Sequence, residues 1–169
     1  MNLKDYIAEF PDFPKPGILF YDINPLLQYP EAFSEAINQL SQKAAEYKPD
    51  IILGIESRGF LFAPSLAAKM NLPFGLIRKP GKLPGKVIGL DYEKEYGTDR
   101  LELQQGLLKS GQRVLLVDDL LATGGTMQAS IQLVEKTGAV PIAALYMIEL
   151  LELGAASKMP IPQHAVLQY

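Results

Sequence analysis

The stretch that decides the fold is VLLVDDLLATGGT, residues 114–126. Its first four residues are apolar, which is typical of a strand buried on both faces of a parallel sheet. Two acids, Asp118 and Asp119, follow directly, and apolar residues then recur at helical spacing from Met127 onward. We therefore predict a strand, a loop and a helix that begins near residue 125. In open α/β sheets, ligands bind beyond the carboxyl ends of the strands, so this loop is a candidate site.

The chemistry of the loop suits a ribose 5-phosphate. Glycines let the backbone approach a ligand closely, and the free N–H groups at a helix N-terminus favour an anion. The predicted ligands of the 5-phosphate are Ala122, Thr123, Gly124, Gly125 and Thr126. Asp118 and Asp119 accept hydrogen bonds only, which suits the two ribose hydroxyls.

Other phosphate motifs fit this stretch poorly. A Walker A loop needs a lysine after its last glycine, but Thr126 and Met127 follow Gly125. A dinucleotide fingerprint carries its acid about 20 residues after the glycines, whereas here the acids precede them. An ordinary strand–turn–helix corner is also possible, but two acids after a buried strand lose hydration unless something binds them.

Composition limits the possible classes of protein. The 169 residues are 48% hydrophobic, which predicts one globular domain, residues 1–169. The formal net charge of −3 argues against broad nucleic-acid binding, and no apolar stretch is long enough for a membrane span. The chain has no cysteine, and its polar start is unlike a signal peptide. We therefore expect a cytoplasmic protein.

Strand and helix patterns alternate along the chain, which predicts an α/β fold with a central, mostly parallel sheet flanked by helices. We expect helices at 2–9, 31–46, 60–70 and 149–158. Strands are predicted at 50–55, 74–78, 114–117 and 139–148, and Gly138 is expected to cap the helix before the last of them. Residues 1–29 form an N-terminal arm, and residues 79–104 a hairpin with a mobile tip that returns at Leu101, a candidate active-site lid.

Two further segments are candidate anion sites. Glu56-Ser57-Arg58-Gly59 follows a buried strand and precedes a helix, so it shares the sheet edge of the first loop. Arg78, Lys79, Lys82 and Lys86 form a basic cluster. On its own this cluster is typical of a solvated loop, but a second anion nearby favours phosphate contacts for its first three members.

Five blocks resemble the type I phosphoribosyltransferases, enzymes that use phosphoribosyl pyrophosphate. The blocks are FPDFPKPGILF from residue 10, GIESRGFLF from 54, RKPGKLPG from 78, EYG from 95 and VDDLLATGGTM from 117. The resemblance is to members that take adenine, and it implies a Mg²⁺-dependent purine salvage enzyme that makes AMP and pyrophosphate. It also implies the type I phosphoribosyltransferase fold, with an N-terminal hood over the base, and a homodimer. Magnesium would be held mainly by the substrate, whose oxygens suit a hard cation.

The same resemblance implies roles for individual residues. Glu95 would accept the proton that adenine releases, although the residues alone favour a solvated glutamate here. The implied pyrophosphate contacts are Glu56, Ser57, Arg58, Arg78, Lys79, Lys82 and Tyr96, with a cis Glu56–Ser57 peptide. The resemblance also implies that Arg78 reaches the site of a neighbouring subunit. The implied adenine contacts are Leu19, Phe20, Tyr21 and Leu120.

Some alternatives stay open at this stage. From the residues alone, ordinary core burial is the stronger explanation for Phe20. The family commonly has arginine where this chain has Tyr21, and tyrosine lacks the charge and the donor fork of arginine. A related enzyme for hypoxanthine, guanine or xanthine is therefore one alternative. Another is a phosphoribosyl pyrophosphate sensor that regulates transcription, but the chain has no added basic DNA-binding segment.

Overall fold

The computed structural model describes residues 1–94 and 97–169, and these divide into two compact units, Met1–Gln39 and Leu40–Tyr169. Helix α2 (Pro30–Tyr47) continues from one unit into the other. The expectation that residues 1–169 make one domain therefore stays a prediction.

The first unit contains a small antiparallel pair of strands. Strand β1 (Ala8–Phe10) pairs with β2 (Phe20–Asp22), and a short helix, α1 (Asn24–Gln28), follows. The predicted helix at 2–9 was wrong, because only a single 3-10 turn forms at Leu3–Tyr6, capped by the Asn2 side chain, before the chain becomes extended.

The second unit is built on a five-stranded parallel sheet. Its strands are β3 (Ile51–Ile55), β4 (Phe74–Ile77), β7 (Arg113–Leu121), β8 (Val140–Glu149) and β9 (Gln163–Gln168). The spatial order is β4-β3-β7-β8-β9, which confirms the predicted fold class. Every residue of β3 is buried, as its unbroken apolar run predicts. Strand β7 extends further than predicted, because pairing with β8 continues through the two acids to Leu121.

Two helices connect the central strands in opposite directions along the sheet. Helix α3 (Gly59–Met70) leads from β3 to β4, and α4 (Gly125–Glu135) leads from β7 to β8. Since β4 and β8 lie on opposite sides of the β3–β7 pair, right-handed crossovers place the two helices on opposite faces. The β3–β7 pair is therefore the switch point at which ligands bind in such sheets.

A hairpin extends from the edge of this sheet. Strand β5 (Val87–Lys94) pairs with β6 (Gly97–Gln104), so the return strand starts four residues before the predicted Leu101. The backbones of Arg78 and Glu102 exchange hydrogen bonds of 2.9 and 2.8 Å, which joins the hairpin to the end of β4. The Lys136 ammonium also donates to the Gly89 carbonyl, at 3.2 Å, and so ties the hairpin to the end of α4.

The C-terminal segment differs from the prediction. In place of a helix at 149–158 there are two 3-10 turns, Leu151–Leu153 and Ala156–Lys158, separated by Gly154 with φ of 60°. Strand β9 was missed, and it carries His164, whose ring lies 2.5 Å from the Tyr47 hydroxyl. Helix α4 ends at Glu135, so Gly138, with φ of 83°, lies in the turn beyond its cap.

The core of the second unit lies between the sheet, α4 and the hairpin. Fully buried aliphatic residues of β3, β7 and α4 pack there with Leu101 and Leu103 of β6. Within the described residues, no helix has the length and apolar character that crossing a membrane requires.

Candidate active site

The loop between β7 and α4 has the predicted geometry. Gly124 precedes the helix with φ of 91°, a conformation that glycine adopts without strain. A Cβ at this position would also lie 2.2 Å from the methyl group of Met159. The first turn of α4 carries no acidic residue, so no carboxylate of that turn offsets the positive end of the helix dipole. We refer to residues 122–126, the predicted 5-phosphate site, as the phosphate loop.

The two acids beside this loop have different surroundings. Asp119 forms an ion pair with Arg58, whose Nε lies 2.8 Å from Oδ2 of Asp119. Asp118 instead accepts a hydrogen bond of 2.9 Å from the backbone N–H of Asp119. Burial and the charge of Asp119 raise the pKa of Asp118 well above its ordinary value, and Arg58 opposes this only in part. The ion pair also links the loop after β3 to the loop after β7.

Gly59 allows these two loops to approach each other. It begins α3, and a Cβ on it would lie 2.7 Å from the Val117 carbonyl and 3.2 Å from a carboxylate oxygen of Asp118. Only a residue without a side chain lets the start of α3 pack against β7 at this distance. The Glu56–Ser57 peptide just before it is cis, as the family resemblance implied.

Glu56 gathers the basic residues that follow β4. Its side chain is only 7% exposed, and it accepts hydrogen bonds from Arg78 Nε at 3.2 Å and from the Lys79 backbone N–H at 2.8 Å. Lys82 forms an ion pair with the other carboxylate oxygen at 2.5 Å. Burial alone would raise the pKa of Glu56, but these three partners outweigh burial and lower the pKa to about 2.

A second acidic centre, which the sequence pattern did not predict, lies on the hairpin. Asp99 forms ion pairs with Lys79 and Lys94 and accepts a hydrogen bond of 3.3 Å from the Tyr92 hydroxyl. Burial would raise the pKa of Asp99, but the hydrogen bonds from the two lysines lower it far below its ordinary range. Tyr92 in turn lies 3.3 Å from the Thr126 hydroxyl of the phosphate loop. The sequence feature that could have indicated this centre is the pair of acids in Asp99-Arg100-Leu101-Glu102, which follow the basic cluster along the chain.

The chain is similar in sequence to known proteins that carry a phosphoribosyl transferase domain. Residues 24–161 match the family model described as a phosphoribosyl transferase domain. An adenine phosphoribosyltransferase of Synechococcus sp. strain CC9605 is 54% identical over 171 residues, which cover all of this chain and 99% of that protein. The chain belongs to the adenine phosphoribosyltransferase family. The family resemblance and the expectation of a transferase are thereby confirmed.

Solved structures of this family share the fold over nearly the whole chain. The adenine phosphoribosyltransferase of Thermoanaerobacter pseudethanolicus is 42% identical with a TM-score of 0.95, covering 99% of this chain and 98% of that one. The enzyme of Saccharomyces cerevisiae, in complex with an imino-altritol bisphosphate and adenine, is 40% identical with a TM-score of 0.91. That match covers 96% of this chain and 95% of the yeast chain.

The second unit brings together most of the residues that family resemblance singled out. The Glu56 loop, Arg78 and its basic neighbours, the two aspartates and the phosphate loop all lie at the carboxyl edge of the sheet. Ser57 and Thr123 are exposed, while Ala122, Gly125 and Thr126 are half-buried. Leu120 is half-buried in β7, opposite Ile148 of β8. Glu95 and Tyr96 lie outside the described residues, so their roles stay predictions.

The first unit carries the other three predicted base contacts. Leu19 is exposed, and Phe20 is half-buried with its ring 5.1 Å from that of Phe13, edge to face. Tyr21 pairs with Glu9 in the two-stranded sheet. The adenine assignment of these residues also stays a prediction.

Proposed function

We propose that the chain transfers the phosphoribosyl group of phosphoribosyl pyrophosphate to adenine, forming AMP and pyrophosphate in purine salvage. The observation that carries this proposal is the Arg58–Asp119 ion pair at the β3–β7 switch point, which joins a candidate pyrophosphate loop to a candidate ribose site. The names of the relatives, and the adenine in the yeast complex, support the choice of base.

The ribose 5-phosphate end of the substrate would bind between the phosphate loop and the two aspartates. The N–H groups of the loop and of the first turn of α4 donate to the phosphate, together with the hydroxyls of Thr123 and Thr126. Asp118 and Asp119 accept hydrogen bonds from the ribose hydroxyls, and the negative charge of the pair favours an oxocarbenium-like sugar in the transition state. Binding energy at the remote phosphate positions the reacting carbon.

The pyrophosphate end would bind along the Glu56 loop, residues 56–59, and the basic residues after β4. Arg58, Arg78, Lys79 and Lys82 supply positive charge there, with Ser57 and Tyr96 as further contacts. Glu56 carries the same sign of charge as pyrophosphate. Its part is therefore to orient Arg78 and Lys82, which it holds by hydrogen bonds, rather than to touch the anion through its carboxylate.

The base would be held by the adenine contacts that family resemblance implies, Leu19, Phe20, Tyr21 and Leu120. Glu95 would take the proton that leaves the ring nitrogen as the glycosidic bond forms. Closure of the hairpin would exclude water, which otherwise hydrolyses the activated sugar.

Magnesium would accompany phosphoribosyl pyrophosphate and neutralise the charge of the leaving pyrophosphate. Adjacent carboxylates at Asp118 and Asp119 are hard oxygen donors that fit such a cation, although Asp119 is already paired with Arg58. Among the described residues no group of three or more His, Cys, Asp or Glu side chains could hold a metal by itself. The substrate oxygens would therefore supply most of the ligands. We also propose that the protein is cytoplasmic and forms a homodimer.

A panel of bases tests this function. Adenine, hypoxanthine, guanine and xanthine are each incubated with the protein, phosphoribosyl pyrophosphate and Mg²⁺, and pyrophosphate release is measured. We expect release with adenine and at least about tenfold slower release with the 6-oxopurines, because a site built for the adenine amino group leaves its partners unpaired with them. Faster release with a 6-oxopurine would contradict the choice of base, and a Tyr21→Arg variant would show whether Tyr21 is the cause.

A further inference from the structure

Tyr92 connects the hairpin to the phosphate loop. Its hydroxyl lies 3.3 Å from a carboxylate oxygen of Asp99 and 3.3 Å from the hydroxyl of Thr126. Tyr92 and Asp99 lie opposite each other in the β5–β6 ladder, so the first contact stays within the hairpin. The second contact crosses from the hairpin to the start of α4.

The direction of both hydrogen bonds follows from proton counting. Asp99 is ionised, since its two lysine partners lower its pKa, and an ionised carboxylate only accepts. The single proton of Tyr92 is therefore donated to Asp99. The Tyr92 oxygen is then the acceptor in the second contact, and Thr126 donates its own single proton to it.

A bound phosphate would need that same proton. Phosphate oxygens under neutral conditions accept hydrogen bonds, so the Thr126 hydroxyl can serve a phosphate only by donating to it. It cannot donate fully to Tyr92 at the same time. The hairpin and the phosphate thus compete for one hydrogen atom.

We propose, on the basis of the proposed phosphate loop, that Tyr92 is a positioning residue that holds the hairpin through the Thr126 hydroxyl, and that a bound 5-phosphate takes this donor and releases the contact. The hairpin stays anchored at its base through the Arg78–Glu102 bridge and at its side through Lys136. A phosphate bound in the phosphate loop therefore removes the hydrogen bond that joins Tyr92 of β5 to the start of α4.

Calorimetric binding of ribose 5-phosphate tests the competition. Tyr92→Phe removes the competing acceptor, so the variant should bind ribose 5-phosphate about threefold more tightly than the unaltered protein, the scale of one ordinary hydrogen bond. In a Thr126→Val background the same Tyr92→Phe change should have no effect on affinity, because the shared proton is already absent. A purely structural role for Tyr92 would instead lower the melting temperature without this dependence on Thr126.

Lys136→Met is the matched control. It removes the hydrogen bond from the end of α4 to the Gly89 carbonyl of the hairpin and leaves Thr126 untouched. Its affinity for ribose 5-phosphate should stay unchanged. Weaker or equal binding by Tyr92→Phe, or equal tightening by Lys136→Met, would overturn the proposal. AMP formation by the unaltered protein is measured separately, so a failure of the proposed transfer reaction is distinguished from a failure of this inference.

Discussion

Asp118 and Asp119 are adjacent carboxylates with different electrostatic surroundings. Asp119 is compensated by Arg58, whereas burial and the neighbouring charge raise the pKa of Asp118. A raised pKa means that ionising Asp118 costs stability, and this cost appears as the pH rises above about 4, the unfolded value. Replacing Asp118 by asparagine should therefore stabilise the protein increasingly from pH 4 upward, as urea unfolding at several pH values would show.

The partner substitution has the opposite expected effect. Asp119→Asn leaves Arg58 without this carboxylate and should cost about 1 kcal/mol near neutral pH. Both variants should lose roughly 10²-fold in kcat, because each replaces one acceptor oxygen by an amide donor and lowers the negative charge that the pair can present to the ribose in the transition state. A double asparagine variant with normal turnover would contradict the roles proposed for this pair.

Glu56 provides a second pH dependence with the reverse sign. Its pKa of about 2 lies below the ordinary value, so its contribution to stability is present above about pH 4.5 and is lost as the pH falls toward 2. Glu56→Gln should destabilise the protein by about 1–2 kcal/mol at pH 7 and by much less at pH 3. Equal destabilisation at both pH values would indicate a packing effect instead of the ion pairs with Arg78 and Lys82.

At the scale of elements, the approach of α3 to β7 depends on Gly59. A Cβ there would meet the Val117 carbonyl, which is backbone and cannot move aside cheaply. Gly59→Ala should therefore cost about 1–3 kcal/mol of stability and raise the KM for phosphoribosyl pyrophosphate, because Arg58 and Asp118 shift apart. Gly125→Ala controls for stability, since a Cβ at that position of α4 meets nothing within 4 Å. Similar unfolding curves for the two variants would refute the steric argument.

The strands that carry the site could be predicted from the sequence, but the C-terminal segment could not. Unbroken apolar runs fix the buried strands β3 and β7, and the acids and glycines after them mark the loops, so this edge of the sheet was predictable. The end of the chain was not. Residues 149–158 have helical spacing, but Gly154 adopts φ of 60° and divides the segment into two 3-10 turns. Strand β9 was missed because its pairing with β8 is a long-range contact with a weak local pattern.

The ion pairs at the base of the hairpin show why charged residues alone do not predict contacts. Lysines and arginines after β4 were predicted as pyrophosphate contacts, but their partners Glu56 and Asp99 come from segments about 20 residues away in either direction. Charge alone identifies candidates for ion pairs, and only the register of β5 with β6 decides which of them meet. The contact between Tyr92 and Thr126 similarly depends on how the hairpin packs on α4.

For the whole molecule, the proposed contacts divide between the two units, which predicts the amides that each part of a ligand protects from exchange. The phosphate loop, the Glu56 loop and the basic residues after β4 all belong to Leu40–Tyr169, whereas Leu19, Phe20 and Tyr21 belong to Met1–Gln39. Ribose 5-phosphate should therefore slow amide hydrogen exchange around residues 121–128 and leave residues 1–39 unchanged, since a ligand protects the amides whose opening it opposes. If the proposed adenine contacts are right, AMP, which adds the base, should also slow exchange at residues 19–21.

Pyrophosphate completes this comparison, because it lacks both the sugar and the base. It should protect residues 56–60 and 78–82 while the amides of the phosphate loop keep their rates. Exchange measured by mass spectrometry with each of the three ligands at about 100 times its Kd gives up to about 2.7 kcal/mol of protection, well above the resolution of the method. If ribose 5-phosphate protected residues 1–39 more than residues 121–128, the sugar phosphate would bind elsewhere, and the assignment of the loop after β7 would be wrong.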